Sequence, residues 1–407
     1  MNHRELATEN SGPLKGVRIL DLTGVMFGAY ATQILGDQGA DVLKVESPSD
    51  SAGRGGGGDI IRWNGEVPEG RPRDLGPIFL SVNRNKRSLA LDLRKPDELA
   101  RLKTLIPHCD VFVASVRYEG LKRLGLGYEE VKAVKPDIVY AIASGYGMDG
   151  PYAGDPAYDD LIQAQTGLAD LLNRTDGDPE HRYLPTLIAD KTMGVILSQA
   201  ITAALFHRER TGEGQFVEVP MFEAMTAYNL AENHFHHVFE PPIGQWGYAR
   251  VVNPTRKPFQ TKDGYIGLLP YTEAQWTSFF EAAGWGESFA KDPRFADHAA
   301  RNRNIRALYA LIGEATKTKT TAEWFALLKP LGIPIVKLNT MDELEDDPHL
   351  QAVGLFEHYQ HPHAGPYVAV RPAVRFSASP SSIRRHAPRL GEHTQEVLRE
   401  FASEPER

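Results

Sequence analysis

Asp190 is the carboxylate of this chain whose surroundings best suit covalent chemistry. It lies in Leu187-Ile-Ala-Asp-Lys-Thr-Met-Gly194, where apolar residues lead into one acid and small and apolar residues continue as a helix from Thr192 to Leu205. A carboxylate at a helix start can serve only as a cap, accepting orphan backbone N–H groups. Partly desolvated, the same group can be a nucleophile that forms a covalent intermediate. Just upstream, Gly150 to Gly167 carries Tyr158 and Asp159. Tyr158 is an aromatic hydroxyl. Asp159 is a second acid, able to orient a substrate or to cap the helix that begins there.

The elements that must hold these groups read as α/β. Val17 to Leu22 is a short buried strand, Gly28 to Gln38 a helix packed with small residues, and Asp41 to Val45 a second strand, the βαβ opening of a doubly wound sheet. Further strands are expected at Ser88–Leu91, Val111–Ala114, Ile138–Ala143 and Phe216–Val219, with helices at Pro96–Ile106 and Tyr128–Val134 between them. Such alternation predicts a largely parallel sheet with ligands at the carboxyl ends of its strands. Residues 1–219 form a large domain on this reading, completed by 375–407. A linker of 220–257 leads to a small α+β domain over 258–345, and 346–374 is a returning linker with an extended, proline-studded course.

With 407 residues, 42% hydrophobic and 24% charged, the chain is long enough for two domains and has the composition of an ordinary globular protein. A net charge of −8 argues against nucleic-acid binding. No apolar run reaches the length of a membrane span and the start is not a secretory signal, so the expectation is a cytoplasmic protein. The single cysteine, Cys109, borders a strand-like run and reads as a buried inert thiol. Gly53-Arg-Gly-Gly-Gly-Gly58 lacks the Lys-Ser or Lys-Thr of a phosphate loop and reads as a surface loop. His234-Phe-His-His237 and His358-Tyr-Gln-His-Pro-His363 lack the spacing of a zinc site, and no metal is expected.

Taken in order, several short motifs give the chain a family likeness. They include Leu14-Lys-Gly-Val-Arg-Ile-Leu-Asp-Leu-Thr23, Gly39-Ala-Asp-Val-Leu-Lys-Val-Glu46 and Asn85-Lys-Arg-Ser-Leu-Ala-Leu-Asp-Leu93. Leu121-Lys-Arg-Leu-Gly-Leu-Gly-Tyr128, Ser144-Gly-Tyr-Gly147, Gly150-Pro-Tyr152 and Arg210-Thr-Gly-Glu-Gly-Gln-Phe-Val-Glu-Val219 follow, and the run from Ala387 to Leu398 closes the series. In this the chain resembles the class III coenzyme A transferases along nearly its whole length. The resemblance implies an acyl-CoA:carboxylate CoA-transferase with Asp190 as nucleophile, passing through an aspartyl anhydride and an aspartyl-CoA thioester. It implies coenzyme A as the cosubstrate, an acyl-CoA donor, a carboxylic acid acceptor and an interlocked homodimer.

The same resemblance places Met26, Phe27, Leu91, Arg94, Ser115, Val116, Arg117 and Arg123 against CoA, with Tyr158 and Asp159 in support of Asp190. Arginine forks suit the phosphates. Ser115 and Val116 depart from the Asn and Phe common in the family. Tyr158 stands where related acyl-CoA racemases carry His. A phenol that titrates near ~10 is poorly placed to shuttle an alpha proton at neutral pH, which favours transfer over racemisation. A catalytically silent CoA-binding protein is a further alternative, against which an intact Asp190 argues, and a nicotinamide-dependent oxidoreductase is another from a different class. It rests on the βαβ unit and on Glu46 at the end of the second strand, but Thr23-Gly-Val-Met-Phe-Gly28 does not supply its glycine spacing.

Overall fold

A computed structural model describes residues 3–49, 56–177 and 179–403. The start of the glycine-rich run, residues 53–55, lies outside them. The chain divides into two compact units: Met1–Thr166 with Leu184–Tyr228 and Pro348–Arg407, and Gly167–Tyr183 with Asn229–Asp347.

The first unit is built on a six-stranded sheet of β1 (Arg18–Leu22), β2 (Asp41–Glu46), β3 (Lys86–Ala90), β4 (Val111–Ala114), β5 (Val139–Ser144) and β6 (Gln215–Pro220). Every pairing is parallel and the order is β3-β2-β1-β4-β5-β6. The sequence therefore points to the right class of sheet, and its strand ends fall within two residues of those observed. The helices up to residue 233 are α1 (Phe27–Asp37), α2 (Pro77–Val82), α3 (Pro96–Lys103), α4 (Tyr118–Arg123), α5 (Tyr128–Val134), α6 (Asp159–Gln165), α7 (Leu168–Asp176), α8 (Ile188–Thr211) and α9 (Met221–Asn233), of which α7 and the end of α9 from Asn229 belong to the second unit.

Side chains alternate between the two faces of a strand, and here the faces differ in kind. Leu20, Leu43, Leu89, Phe112 and Tyr140 join one apolar core that also takes in Val397 and Phe401 of the closing helix, Thr394–Ser403. Cys109 is buried in the same core. The other face carries Asp21, Lys44, Glu46 and Lys86, all buried. On that side α1 packs closely on α8: a methyl added at Gly194 would lie 3.0 Å from the Phe27 carbonyl oxygen, tighter than an ordinary contact, so α1 would have to give way.

Residues 356–370 differ from the extended course expected of them. They form an antiparallel hairpin of Phe356–His361 with Gly365–Val370, turned at a glycine of positive φ. Two histidines, one buried and one half-buried, support the turn end and the second strand. His361 Nδ1 accepts the His363 and Ala364 N–H groups, both at 3.0 Å, and Tyr367 Oη lies 2.9 Å from His386 Nδ1.

The second unit has its own core of Trp276, Phe279, Phe280, Leu308, Ile312 and Trp324 around a three-stranded antiparallel sheet of Phe259–Gln260, Tyr265–Leu268 and Ile335–Lys337. Helices Glu273–Ala282 and Thr321–Leu328 each begin at a threonine capping box, which closes two orphan N–H groups and sets their starts sharply. Among the described residues no helix is long and apolar enough to cross a membrane.

Candidate active site

A cavity of about 650 Å³ opens at the carboxyl ends of β1, β4 and β5. Its walls are the β1–α1 turn (Gly24, Val25, Phe27), the β4–α4 turn (Ser115 to Gly120), the end of β5 with Gly145 and Tyr146, and Tyr158, Asp190 and Met221. Strand order reverses between β1 and β4, and the crevice over such a reversal is where open α/β sheets receive ligands. All of these residues belong to the first unit.

Asp190 sits in the first turn of α8 and is buried. It is not the cap of that helix: Leu187 holds the cap position and offers no side-chain acceptor. The missing acceptor comes from α6, where Asp159 Oδ1 receives the Asp190 backbone N–H at 2.9 Å. Asp159 Oδ2 receives Gln163 Nε2 at 2.7 Å, and Gln163 Oε1 accepts the Leu184 N–H at 2.9 Å, tying α6 to the segment that enters α8. Burial, reinforced by the neighbouring negative charges of Asp159 and Asp160, pushes the Asp190 carboxyl up to about 7. The helix N-terminus acts in the opposite sense, by roughly 0.3–1 kcal/mol, which is too little to restore an ordinary acid.

Of the residues expected at the site, Phe27, Ser115, Val116, Arg117, Arg123, Tyr158 and Asp190 line this cavity. Asp159 is buried beneath it and acts on Asp190 rather than reaching the opening. Met26 is half-buried against the cluster that contains Ile61, Leu75 and Phe79. Leu91 is not on the cavity wall: its side chain is sealed in the apolar core, on the same side as Leu89, and its N–H is spent on the Glu46 carbonyl. Arg94 is also off the wall, exposed and held by Asp92 at 2.8 Å and by Ser49 Oγ at 2.7 Å. Glu46, on which a nicotinamide reading would rely for a ribose, is buried and grips Arg62 through both oxygens at 2.7 and 2.6 Å.

Sequence reasoning passed over the turn that begins the cavity wall. Val25 has φ +60°, a left-handed backbone that a β-branched side chain adopts only under strain, at a cost of about 1–3 kcal/mol. Its N–H donates to both Asp59 oxygens at 3.0 and 3.1 Å. Asp59 is in turn held by Lys44 Nζ at 3.0 Å, and the same ammonium donates to the Thr23 carbonyl at 2.8 Å. On the far side of the turn, Gly24 N–H donates to Ser115 Oγ at 3.1 Å. Nothing in the local sequence marks this arrangement, since Asp59 lies 34 residues from Val25 and Ser115 lies 91 residues from Gly24.

A second cavity, about 410 Å³, holds Arg4, Arg371 and Arg375. Arg371 is spent on the carbonyls of Gly354, Pro372 and Val353, and Arg4 on Glu357, so these cations hold the fold together.

The family model for CoA-transferase family III matches residues 14–394. This chain belongs to CoA-transferase family III. It is 32% identical over 392 residues to succinyl-CoA:glutarate CoA-transferase of Mus musculus, covering 95% of this chain and 86% of that protein. It is 32% identical over 412 residues to formyl-CoA:oxalate CoA-transferase of Afipia carboxidovorans, covering 95% and 93%. Among solved structures, a CaiB/BaiF family protein from Brucella suis superposes with a TM-score of 0.79 at 30% identity, over 97% of this chain and all of that one. As a member the chain is a transferase enzyme that works on CoA thioesters and carboxylates.

Proposed function

We propose that this family III enzyme moves CoA between carboxylic acids through covalent intermediates on Asp190. The observation that carries the reading is a buried carboxylate, pushed up to about 7, on the wall of a cavity of about 650 Å³ at the carboxyl ends of the parallel strands. An Asp190 oxygen attacks the thioester carbonyl carbon of the donor. The C–S bond breaks, CoA leaves as thiolate, and a mixed anhydride remains. The thiolate then attacks the Asp190 carbonyl carbon, releasing the donor acid as its carboxylate and leaving an aspartyl-CoA thioester. An acceptor carboxylate attacks that carbon, the thiolate leaves again, and a second anhydride forms. Attack of the thiolate on the acceptor's carbonyl carbon gives the new acyl-CoA and frees Asp190.

A carboxylate is a weak nucleophile in water, so positioning and exclusion of solvent must supply most of the acceleration. The first comes from Asp159, which fixes the first turn of α8 through a backbone bond rather than by touching the reacting carboxyl. Arg117 and Arg123, exposed on the cavity wall, are the cations we assign to the CoA phosphates; Arg94 offers a further one outside it. Tyr158, exposed in the same wall, is assigned to acyl positioning. We assign a homodimer as well: α8 is apolar on several sides and leaves Val195 and Phe206 exposed, as does α6 with Leu161. Light scattering at twice the chain's mass is the expected result.

The test is intact-protein mass spectrometry after incubation with a panel of acyl-CoA thioesters, with hydroxylamine or borohydride trapping. An adduct on Asp190, absent from Asp190→Ala, is expected. Exchange of an alpha hydrogen in deuterated water without any adduct would instead establish the racemase reading.

A further inference from the structure

The strained turn has a feature that the catalytic cycle leaves unused. Left-handed backbone is free for glycine and costly for valine, and a glycine is available one residue earlier, at Gly24. The chain nevertheless places a β-branched residue at the strained position. Core packing does not explain it, because Val25 is 40% exposed and lines the cavity. The turn is also unusually well braced. Asp59 takes the Val25 N–H, Lys44 bridges Asp59 to the Thr23 carbonyl, and Asp21 Oδ1 receives both the Thr23 N–H at 2.8 Å and its hydroxyl at 2.6 Å. Asp21, Lys44 and Asp59 are all buried. A strained residue persists only where its surroundings over-determine it, and such residues gather at ligand sites.

Position tells which part of a ligand Val25 meets. The Phe27 carbonyl two residues on abuts Gly194, one helical turn after Asp190. The turn therefore stands at the same end of the α1–α8 pair as the carboxyl group. We propose that Val25 is a specificity-determining residue, its isopropyl group held by the Asp59–Lys44 brace so as to narrow the cavity beside the thioester and select against branched or long acyl chains. Of the two residues that follow it, Met26 packs half-buried against the cluster of Ile61 and Phe79, and Phe27 is buried but still contributes to the cavity wall. The inference rests on the assignment of the cavity to acyl-CoA.

The experiment titrates full-length wild type, Val25→Ala and Val25→Gly by calorimetry with a series of CoA thioethers, which mimic acyl-CoA without turning over: ethyl, isobutyl and hexyl. Wild type is expected to bind the ethyl compound best. Val25→Gly should improve the isobutyl and hexyl compounds relative to ethyl by about tenfold, the scale on which a few methylenes are discriminated, and Val25→Ala by less. The melting temperature of Val25→Gly should be unchanged or higher, since strain is released. The same relative order of the three compounds in all three proteins, within twofold, would overturn the proposal. So would a tighter wild-type preference for hexyl. If wild type binds none of the thioethers, the acyl-CoA reading of the cavity fails instead.

Discussion

The two faces of the central sheet solve opposite problems with the same strands. One face is apolar, with Leu20, Leu43, Leu89, Phe112 and Tyr140 fully buried against α3, α5 and the closing helix. Its interactions are unspecific in direction: Phe112 stacks on Tyr140 at 4.8 Å, and Tyr128 and Phe216 lean against the same ring. The other face buries Asp21, Lys44, Glu46 and Lys86 with Asp59 and Arg62, at a desolvation cost that good geometry must offset. Lys86 Nζ, for instance, donates to the Ala29 carbonyl at 2.8 Å and to Asn83 Oδ1 at 2.9 Å, and burial still pulls its ammonium down to about 7. The apolar face holds the sheet together. The charged face fixes the Thr23–Phe27 turn and the helix pair that bring the cavity wall to Asp190.

This contrast can be broken first at Asp59. Asp59→Ala strands the Lys44 ammonium in the interior, and denaturant unfolding should show a loss of about 3–5 kcal/mol, together with weaker acyl-CoA binding because the Val25 turn is released. Phe112→Ala on the apolar face should cost a comparable 3–4 kcal/mol through the cavity it leaves. Calorimetry should find its CoA affinity within twofold of wild type. Equal binding defects in both variants would erase the division of labour between the faces.

Asp190→Asn should move stability the other way. The folded chain keeps the Asp190 proton up to about pH 7, whereas the unfolded chain loses it near 3.8. Between those values the folded state binds more protons, so its stability falls as pH rises from about 4 to 7 and stays low above. The neutral amide escapes this loss and should stabilise the protein by a few kcal/mol at pH 8, on the order of 4 for a shift of this size, with little effect at pH 4. Thermal melts at the two pH values read the difference. Covalent labelling of the wild type should climb over the same range, and at pH 6 run about tenfold below its plateau, as only the carboxylate attacks.

The smallest change is expected from Tyr140→Phe. The hydroxyl donates to the Leu126 carbonyl at 2.6 Å, and its loss should cost about 1 kcal/mol without touching labelling.

The apolar face was readable in the sequence because a strand buried on both sides appears as a compact run of branched residues, and Val111–Ala114 needs no partner to declare itself. Asp190 is readable as a residue of interest, but only the structure sets aside the alternative that it caps its own helix, since Leu187 holds the cap position and the acceptor belongs to another helix. The hairpin at 356–370 was missed for a related reason: its prolines and histidines disguise a β pattern whose support comes from His361 and His386 bonding to distant backbone and side chains. Motif order does not reveal which way a side chain points, and the Leu91 side chain lies in the apolar core rather than on the cavity wall.

What the sequence determined alone is the alternation of strands and helices, the parallel sheet that follows from it, and the ordered motifs that name the family. These depend on local periodicity and on residue identity, both present in a linear string. Tertiary structure decided which acid braces which. Asp159 reaches Asp190 across 31 positions and Asp59 reaches Val25 across 34. The raised carboxyl and the strained turn are consequences of burial and of charges brought together by folding, and neither exists until the sheet has closed over them.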